Sequence, residues 1–400
     1  MKKDTLWTKD FIFVSVNSFF IFMIFYSLMT ALPFYVLDDL RQPQESVGLV
    51  VSIFLLASVL IRPFAGRWLD SIGRRKILLL ALTIFLISTG LYLLSESYGF
   101  LLILRFFQGL GFGLATTATG AIAADVVPES RRGQGIGYYG MFMSIAMVIG
   151  PYIGLTIIQQ FSFTALFLLC TVFALISFTL GIFGKPTAQK QESPKPGNTP
   201  KAAFSLGELF EKSAIPISLA GGIFAFSYSG ISSYVSLFAA ELGLEAIAGV
   251  FFIVFGLVIV LSRPFTGKWY DLYGANKVLY PAFVLYMIGM ILLSFTQNGF
   301  FYLLTAAIIG LGYGVIVPSF QTISVQYAPD HRRGAATATY FFFFDSGFGI
   351  GAYVNGLVQA KTDFNLMFLM GGLIVIISML IYYFLHHKKQ QREERYLSVS

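Results

Sequence analysis

Two ionisable residues, Arg105 and Asp345, lie inside long apolar segments of the chain. Counted along a helix, Arg105 is roughly 10 Å and Asp345 roughly 15 Å from the nearer end of its segment. Charged groups are costly in an apolar solvent and usually mark an ion or solute pathway. A buried carboxyl group can exchange a proton near neutral pH. We predict that Asp345 carries a proton and that Arg105 tunes it or contacts a solute; permanent structural pairing is the alternative for both.

The composition indicates that lipid surrounds these segments. Charged residues are 12% and apolar residues 56% of the 400 residues, whereas typical soluble domains are about 25% charged. The formal charge of +7 lies in short clusters between apolar runs, which argues against nucleic-acid binding. The single cysteine, Cys170, cannot form an internal disulfide. Neither a metal site nor a cofactor is expected.

Twelve apolar runs are long enough to cross a bilayer as helices, which takes about 20 residues each. They lie near residues 11–37, 46–66, 77–95, 99–124, 135–159, 162–183, 214–239, 247–267, 278–296, 299–326, 335–358 and 364–385. The predicted fold class is therefore an all-α membrane protein of twelve transmembrane helices, arranged as two pseudo-symmetric six-helix bundles.

The basic residues predict the orientation of these spans. All Lys and Arg residues except Arg41, Arg105 and Lys361 fall on the side that carries both termini, and an excess of basic residues marks the cytoplasmic side. We expect a multi-pass protein of the inner cell membrane with cytoplasmic termini. The predicted domains are a first bundle (1–184), a proline-rich cytoplasmic linker (185–212), a second bundle (213–386) and a tail (387–400).

An internal repeat relates the two halves. Adding 201 to a residue number carries Arg62-Pro63-Phe64 onto Arg263-Pro264-Phe265, and the same offset holds without gaps from Gly48 to Tyr152. Because Arg, Trp, Asp, Gly and Pro positions recur together, the match cannot come from apolar low complexity. Each half has an even number of spans, so both share one topology.

Three motifs resemble those of one transporter family. The segment Gly66-Arg67-Trp68-Leu69-Asp70-Ser71-Ile72-Gly73-Arg74-Arg75-Lys76 resembles the loop between spans two and three of the major facilitator superfamily. Arg105-Phe106-Phe107-Gln108-Gly109 is similar to the fourth-span motif of its twelve-span drug:proton antiporters. Gly150-Pro151-Tyr152-Ile153-Gly154 is similar to a fifth-span motif of its exporters, and its residues are predicted to form a packing hinge.

The resemblance implies a gating role for the first motif. Gly66 and Gly73 allow a close approach and a tight turn. Asp70 is expected near the positive start of span eleven, and Arg74, followed by Arg75, is expected to pair with Asp125. Together they would hold the cytoplasmic side closed, although a purely topogenic basic cluster is the alternative.

The second half departs from this pattern. Of the residues expected to form the latch, only Asp271 and the glycines persist, because Ala275, Asn276 and Gln326 stand at the positions of Arg74, Arg75 and Asp125. We therefore expect a weaker second latch. Span one also lacks the acidic residue that many proton-coupled relatives carry, so coupling would use Asp345 alone or be absent.

Spans one, four, seven and ten line the cavity in the family, and their polar or aromatic residues are candidate contacts, each with ordinary packing as the alternative. These are Asn17, Tyr26, Gln108, Tyr228, Tyr234 and Gln321. Such walls suit an amphipathic organic solute.

The predicted function is secondary active transport of a small molecule by alternating access, as a monomer in the lipid bilayer, and not catalysis. Proton-coupled export of amphipathic drugs or a metabolite is the leading interpretation. A nutrient symporter or uniporter is the alternative within transport, and a membrane sensor or lipid-handling protein is the alternative outside it.

Overall fold

Twelve long helices make up the computed structural model, which describes residues 6–128, 132–184, 210–329 and 333–388. Each of them is long and apolar enough to cross a membrane, and these residues contain no strand. The all-α class and the span count predicted from the sequence are confirmed. In the first half the helices are α1 (Lys9–Phe34), α2 (Glu45–Ser71), α3 (Arg74–Gly90), α4 (Tyr98–Val126), α5 (Arg132–Gln160) and α6 (Phe163–Phe183). In the second half they are α7 (Ile215–Glu241), α8 (Glu245–Tyr273), α9 (Ala275–Ser294), α10 (Gly299–Gln326), α11 (Arg333–Lys361) and α12 (Phe364–Tyr382).

The side-chain caps at the starts of four of these helices follow the repeat. Ser97 and Ser162 accept a backbone N–H at the starts of α4 and α6, and Asn298 and Asp363 do so at the starts of α10 and α12. The second pair follows the first at the same offset of 201 residues. Such caps satisfy N–H groups that a helix leaves without partners. The duplication therefore extends beyond Tyr152.

The turns that follow α2 and α8 need glycine for backbone reasons. Gly73 and Gly274 have φ angles of 105° and 79°, which residues with a side chain rarely adopt. A Cβ added at either position would meet no atom within 4 Å, so conformation and not space selects glycine here.

Close contacts inside each half also repeat. A Cβ on Gly109 of α4 would overlap the carbonyl oxygen of Phe54 in α2, and one on Gly310 of α10 would lie 2.6 Å from the carbonyl oxygen of Phe255 in α8. Phe54 and Phe255 are themselves 201 residues apart. The repeat therefore conserves contacts between helix backbones as well as residue types.

The chain divides into two compact units, and the division crosses α1 and α2. Unit 1 comprises Met1–Ala31 and Ile53–Leu206, and unit 2 comprises Leu32–Ser52 and Gly207–Ser400. Within unit 2, Ser52 Oγ donates to the carbonyl oxygen of Gly349 in α11 at 2.7 Å. The end of the α1–α2 hairpin thus packs with the second half of the chain, whereas the sequence-based domain boundaries followed chain continuity.

The predicted linker, 185–212, and the predicted tail, 387–400, fall mostly outside the described residues. The last linker residues are described, and they are packed: the Phe210 ring centroid lies 4.9 Å from that of Phe342 in α11. The predicted linker therefore ends before residue 212, because Phe210 already belongs to the apolar contacts of unit 2.

The α7–α11 contact is the closest in unit 2, since a Cβ on Gly347 would overlap the carbonyl oxygen of Gly222. Gly347→Ala should lower the apparent Tm by about 2–6 °C, because backbone must move to admit the methyl group. Thermal unfolding in detergent at one scan rate measures this shift.

Gly140→Ala is the matched control, since a Cβ there would meet nothing within 4 Å. It should leave Tm unchanged or raise it slightly, because alanine favours helix over glycine. Equal shifts in the two variants would contradict the close contact.

Candidate functional site

The loop motif of unit 1 forms an ion pair at the base of α3 and α4. Arg74 pairs with Asp125, as the resemblance implied, and its Nη1 also donates to the carbonyl oxygen of Ala121 at 3.1 Å. Both charged side chains are about one-third exposed, at 29% and 30%. The guanidinium thereby ties the start of α3 to the last turn of α4, where a positive charge also complements the helix dipole.

Arg75 has a different partner from its neighbour. Its Nη2 donates to the carbonyl oxygen of Ile182 in the last turn of α6, at 2.7 Å. It therefore satisfies a carbonyl that the end of α6 leaves without an intrahelical donor. The two arginines connect α3 to the ends of two different helices.

The other gating residues are only partly described. Gly66, Asp70 and Asp271 lie in helices α2 and α8, but their side-chain environments lie outside what the structure describes. The contact predicted between Asp70 and the start of α11 stays a prediction.

Arg105 lies at the centre of a buried polar cluster in unit 1. Its side chain is 0% exposed, and its Nη1 donates to Gln108 Oε1 at 2.9 Å. Tyr92 Oη donates to the same oxygen at 2.7 Å, and Gln108 Nε2 donates to Thr89 Oγ1 at 3.0 Å. The Arg105 guanidinium carbon lies 4.2 Å from the centroid of the Phe54 ring.

Every member of this cluster other than Arg105 is neutral. Hydrogen bonds to neutral groups and a cation–π contact stabilise a buried guanidinium, and they hold it in one orientation. The arrangement keeps a positive charge deep in unit 1, where it can attract an anion or repel a cation.

Asp345 lies near the middle of α11 and is half-buried. It interacts electrostatically with the buried Tyr340, five residues earlier in the same helix. Further along α11, Gly349, Ala352 and Gly356 are buried, as the small-residue pattern predicted, but Ala338 is exposed. The predicted protein-facing stripe therefore does not include Ala338, because the buried face of α11 in that turn carries Ala336, Thr339 and Tyr340 instead.

Three of the cavity candidates are fully used in holding helices together. Asn17 donates to the carbonyl oxygen of Ser177 at 2.8 Å and accepts from its hydroxyl at 3.0 Å. Gln108 belongs to the Arg105 cluster, and Tyr234 donates to the carbonyl oxygen of Ala352 at 2.8 Å. For these residues the structure favours packing over solute contact.

The remaining candidates lie in or beside aromatic clusters or stay accessible. Tyr228 is buried with its ring centroid 4.3 Å from that of Tyr313. Tyr26 is half-buried, 5.0 Å from the Phe25 ring centroid, and Gln321 is half-buried on α10. Tyr26 and Gln321 retain the exposure that a solute contact requires.

The predicted hinge residues of α5 form a close seam with α1. A Cβ on Gly154 would lie 2.7 Å from the carbonyl oxygen of Ser27, and Ser27 Oγ donates to the carbonyl oxygen of Gly150 at 2.8 Å. Pro151 lies between these glycines within α5 and cannot donate a backbone hydrogen bond. Close approach and a missing bond occur together at this point, which is the local geometry a hinge needs.

Comparison with known proteins gives the family. The family model of the Major Facilitator Superfamily matches residues 14–352 and, again, 253–397. The chain belongs to the Major Facilitator Superfamily. The overlapping second match is consistent with the internal repeat, and membership shows that the protein is a membrane transporter rather than an enzyme.

Similar proteins of the superfamily differ in what their names describe. The chain is 22% identical to the staphylopine export protein of Staphylococcus aureus over 84% of this chain and 86% of that one. It is 26% identical to the multidrug resistance protein MdtG of Enterobacter lignolyticus over 92% and 90%. Among solved structures, the nucleoside transporter NupG superposes with a TM-score of 0.71 at 14% identity, covering 94% of this chain and 99% of that one. The last likeness concerns the superfamily fold alone.

Sequence reasoning missed a buried carboxylate just before α7. Glu211 is buried, its N–H donates to Thr339 Oγ1 at 2.9 Å, and its Oε1 accepts from the hydroxyl of Ser213 at 2.8 Å. Pro216 marks the start of α7, but the cap residue Ala214 makes no side-chain cap bond, so no capping signal indicated Glu211. The superfamily motifs do not include this position, so they do not predict that Glu211 is buried.

The Arg74–Asp125 pair predicts a measurable coupling. In a double-mutant cycle of Arg74→Gln and Asp125→Asn, thermal unfolding should give a coupling free energy of about 1 kcal/mol, reduced by the partial exposure of both groups.

Arg75→Gln combined with Asp125→Asn is the matched control, because Arg75 binds the Ile182 carbonyl. That pair should be additive. Equal coupling in both cycles would show that only the general charge of the loop matters.

Proposed function

We propose that the protein exports small amphipathic organic compounds in exchange for protons, by alternating access, in the cell membrane with both termini in the cytoplasm. Members of the superfamily are transporters, and two similar proteins carry names of export or multidrug resistance. Direction, coupling ion and orientation are the proposed steps beyond family membership.

The α1–α5 seam carries the proposal of export. Its residues Gly150, Pro151 and Gly154 resemble a motif of exporters in the superfamily, and in the structure they bring α5 against Ser27 of α1. Glycines at the surface of a helix let a neighbouring helix pack tightly or slide with little steric resistance. The residues of this motif therefore form a close helix–helix contact, which supports the role that the resemblance implies.

Aromatic clusters in both units support an amphipathic solute. In unit 1 the Phe112 ring centroid lies 4.9 Å from that of Phe25 and 5.3 Å from that of Phe22. In unit 2 the Tyr313 ring lies beside Tyr228 and Phe255. Rings of this kind provide apolar contact with a few polar groups, as drug-sized ligands require.

Asp345 and Arg105 would divide the work of coupling. Asp345 is half-buried in unit 2 and can change its charge by taking up a proton, whereas Arg105 is fully buried in unit 1 and stays charged. In this proposal the charge of Asp345 changes during the transport cycle, whereas the positive charge of Arg105 stays constant. The Arg74–Asp125 pair, with Asp70, would hold the cytoplasmic side closed in one state.

The positive-inside pattern supports the orientation, because all but three of the basic residues fall on one predicted side. Several of these residues have further roles, since Arg74 and Arg75 bind helix ends. Export would then move the solute away from the side that carries the loop motif.

Asp345→Asn should abolish proton-coupled export while leaving insertion unchanged, because asparagine has nearly the same shape but cannot exchange a proton. The measurement uses everted vesicles with an acidic interior, ethidium as the amphipathic probe, and a pH-sensitive dye that reports proton release when ethidium is added. Asp363→Asn is the matched control, since Asp363 is exposed and asparagine also caps a helix. Proton release by Asp345→Asn at the wild-type rate would remove Asp345 from the mechanism.

Ethidium accumulation without proton flux in the wild-type protein would overturn the coupling itself. The symporter interpretation would be favoured if the vesicles neither took up ethidium nor exchanged it for protons, and if a proton gradient instead drove the movement of a nutrient.

Arg105 separates a structural role from a transport role. Arg105→Met should insert normally but lower the transport rate about tenfold or more, because it removes the charge and the bond to Gln108. Arg105→Lys should retain part of the rate, since it keeps the charge but not the planar guanidinium over Phe54. Wild-type transport by Arg105→Met would show that the charge serves only the fold.

A further inference from the structure

The seams α1–α5 and α7–α11 are equivalent in the repeat but differ in polarity. Tyr26-Ser27 of α1 corresponds to Tyr228-Ser229 of α7 at an offset of 202, and Gly150 of α5 corresponds to Gly351 of α11 at an offset of 201. One contact agrees: Gly150 lies against Ser27, and Gly351 lies against the equivalent Ser229. The two seams can therefore be compared position by position.

Four positions are apolar in α1 and α5 but polar in α7 and α11. Their residues in the first half are Ala31, Phe34, Gly154 and Ile158, and their counterparts are Ser233, Ser236, Asn355 and Gln359. Packing alone needs none of these polar groups, because the first seam is close-packed without them. Polar side chains in a membrane helix are costly unless they are satisfied.

These polar residues lie on facing sides of α7 and α11. Ser229, Ser233 and Ser236 follow the i, i+4, i+7 spacing of one helix face, and Asn355 and Gln359 follow the i, i+4 spacing. Asn355 Nδ2 donates to Ser229 Oγ at 3.0 Å and to the Phe226 carbonyl oxygen at 3.3 Å, which fixes the register. One turn further on, Ser233 therefore lies level with Gln359, and Ser236 follows about one more turn along the same face of α7.

Three buried oxygen atoms on these two facing sides have no hydrogen-bond partner in the described part of the chain. They are Ser233 Oγ, Ser236 Oγ and Gln359 Oε1. Their side chains are 2%, 3% and 5% exposed. Unsatisfied buried polar atoms are rare, and each costs about 1–3 kcal/mol. These three oxygens are therefore able to accept hydrogen bonds from a small polar ligand or, in the case of the two hydroxyls, to donate hydrogen bonds to it.

We infer that this turn of the α7–α11 seam binds a buried water molecule held by Ser233, Ser236 and Gln359. Buried water typically makes about three hydrogen bonds to groups that would otherwise lack partners. Two hydroxyls and an amide oxygen supply that number, with the water donating to Gln359 Oε1 and bonding the two hydroxyls. The three residues carry no charge, so the site lacks the carboxylate that would favour a metal cation.

Tyr234 and Gly48 close the site on one side. Tyr234 Oη donates to the Ala352 carbonyl oxygen and lies against Gly356. Gly356 lies between Asn355 and Gln359 in the sequence of α11. A Cβ on Gly48 would lie 2.8 Å from that same hydroxyl. The end of the α1–α2 hairpin in unit 2 therefore covers this seam, and the water would stay bound while the hairpin is packed there.

An experimental structure at about 2 Å resolution tests the site directly. The inference predicts an isolated density peak at hydrogen-bond distance, about 2.7–3.2 Å, from Gln359 Oε1 and at least one of the two hydroxyls. Absence of such a peak, with the three oxygens bonded to one another or to backbone, would overturn it.

Stability provides an independent test that does not depend on transport. Gln359→Leu should lower the apparent Tm by about 2–4 °C, because the water loses an acceptor and two hydroxyls remain unsatisfied. The triple variant Ser233→Ala, Ser236→Ala, Gln359→Ile should recover at least half of that loss, because it removes all three polar groups and the seam then needs no water; its residues at 233 and 359 are those of the first half. The exposed Gln326→Leu is the control and should not change Tm.

Additive losses in the triple variant would show that the polar groups are individually satisfied and would overturn the inference. A rise in Tm with Na⁺ that choline does not reproduce, and that the triple variant lacks, would replace the water with a cation. Equal Tm in both salts supports the water.

Discussion

Helix backbones in both units touch at positions that carry no side chain, and most of the remaining structure depends on these contacts. Lipid offers no hydrophobic force between helices, so association depends on close packing and on hydrogen bonds between them. Gly109 against Phe54, Gly154 against Ser27 and Gly347 against Gly222 provide the first. The second follows, because close helices bring short side chains such as Ser27 and Asn355 within reach of a neighbouring carbonyl group.

Duplication explains why these contacts come in pairs, and the exceptions show where the halves have diverged. Unit 1 contains the Arg74–Asp125 pair and the buried Arg105, whereas the corresponding loop of the second half has Ala275 and Asn276. Unit 2 contains the intramembrane Asp345 and the polar seam. Under the two proposals made above, one half would hold fixed charges and the other would hold groups that exchange protons or bind water, which is an asymmetry that a coupled carrier could use.

The sequence predicted the features that depend on local chemistry. The twelve spans are predictable because the hydropathy of a segment determines whether it is stable in lipid. A glycine at a tight turn, such as Gly73, is predictable from backbone sterics. The Arg74–Asp125 pair followed from a motif whose geometry is conserved within a family. These features need only a short stretch of chain or a strong resemblance.

The sequence did not predict features that depend on which helices pack against each other. Asn17 and Tyr234 looked like cavity residues, but their partners, Ser177 and Ala352, lie on other helices far along the chain. Ala338 is predicted to face protein, yet it is exposed, because Ala336 and Tyr340 occupy the buried face of that turn. The division of the chain inside α1 and α2 likewise follows from contacts that hydropathy cannot reveal.

Labelling of single cysteines by a membrane-impermeant maleimide tests directly whether the two matched six-helix halves cross the membrane in the same orientation. In a Cys170→Ala background, Ser193→Cys in the predicted linker and Thr362→Cys between α11 and α12 are compared in intact cells and everted vesicles. We predict that Thr362→Cys is labelled only in cells and Ser193→Cys only in everted vesicles. Labelling of both from the same side would contradict the topology and the carrier built on it.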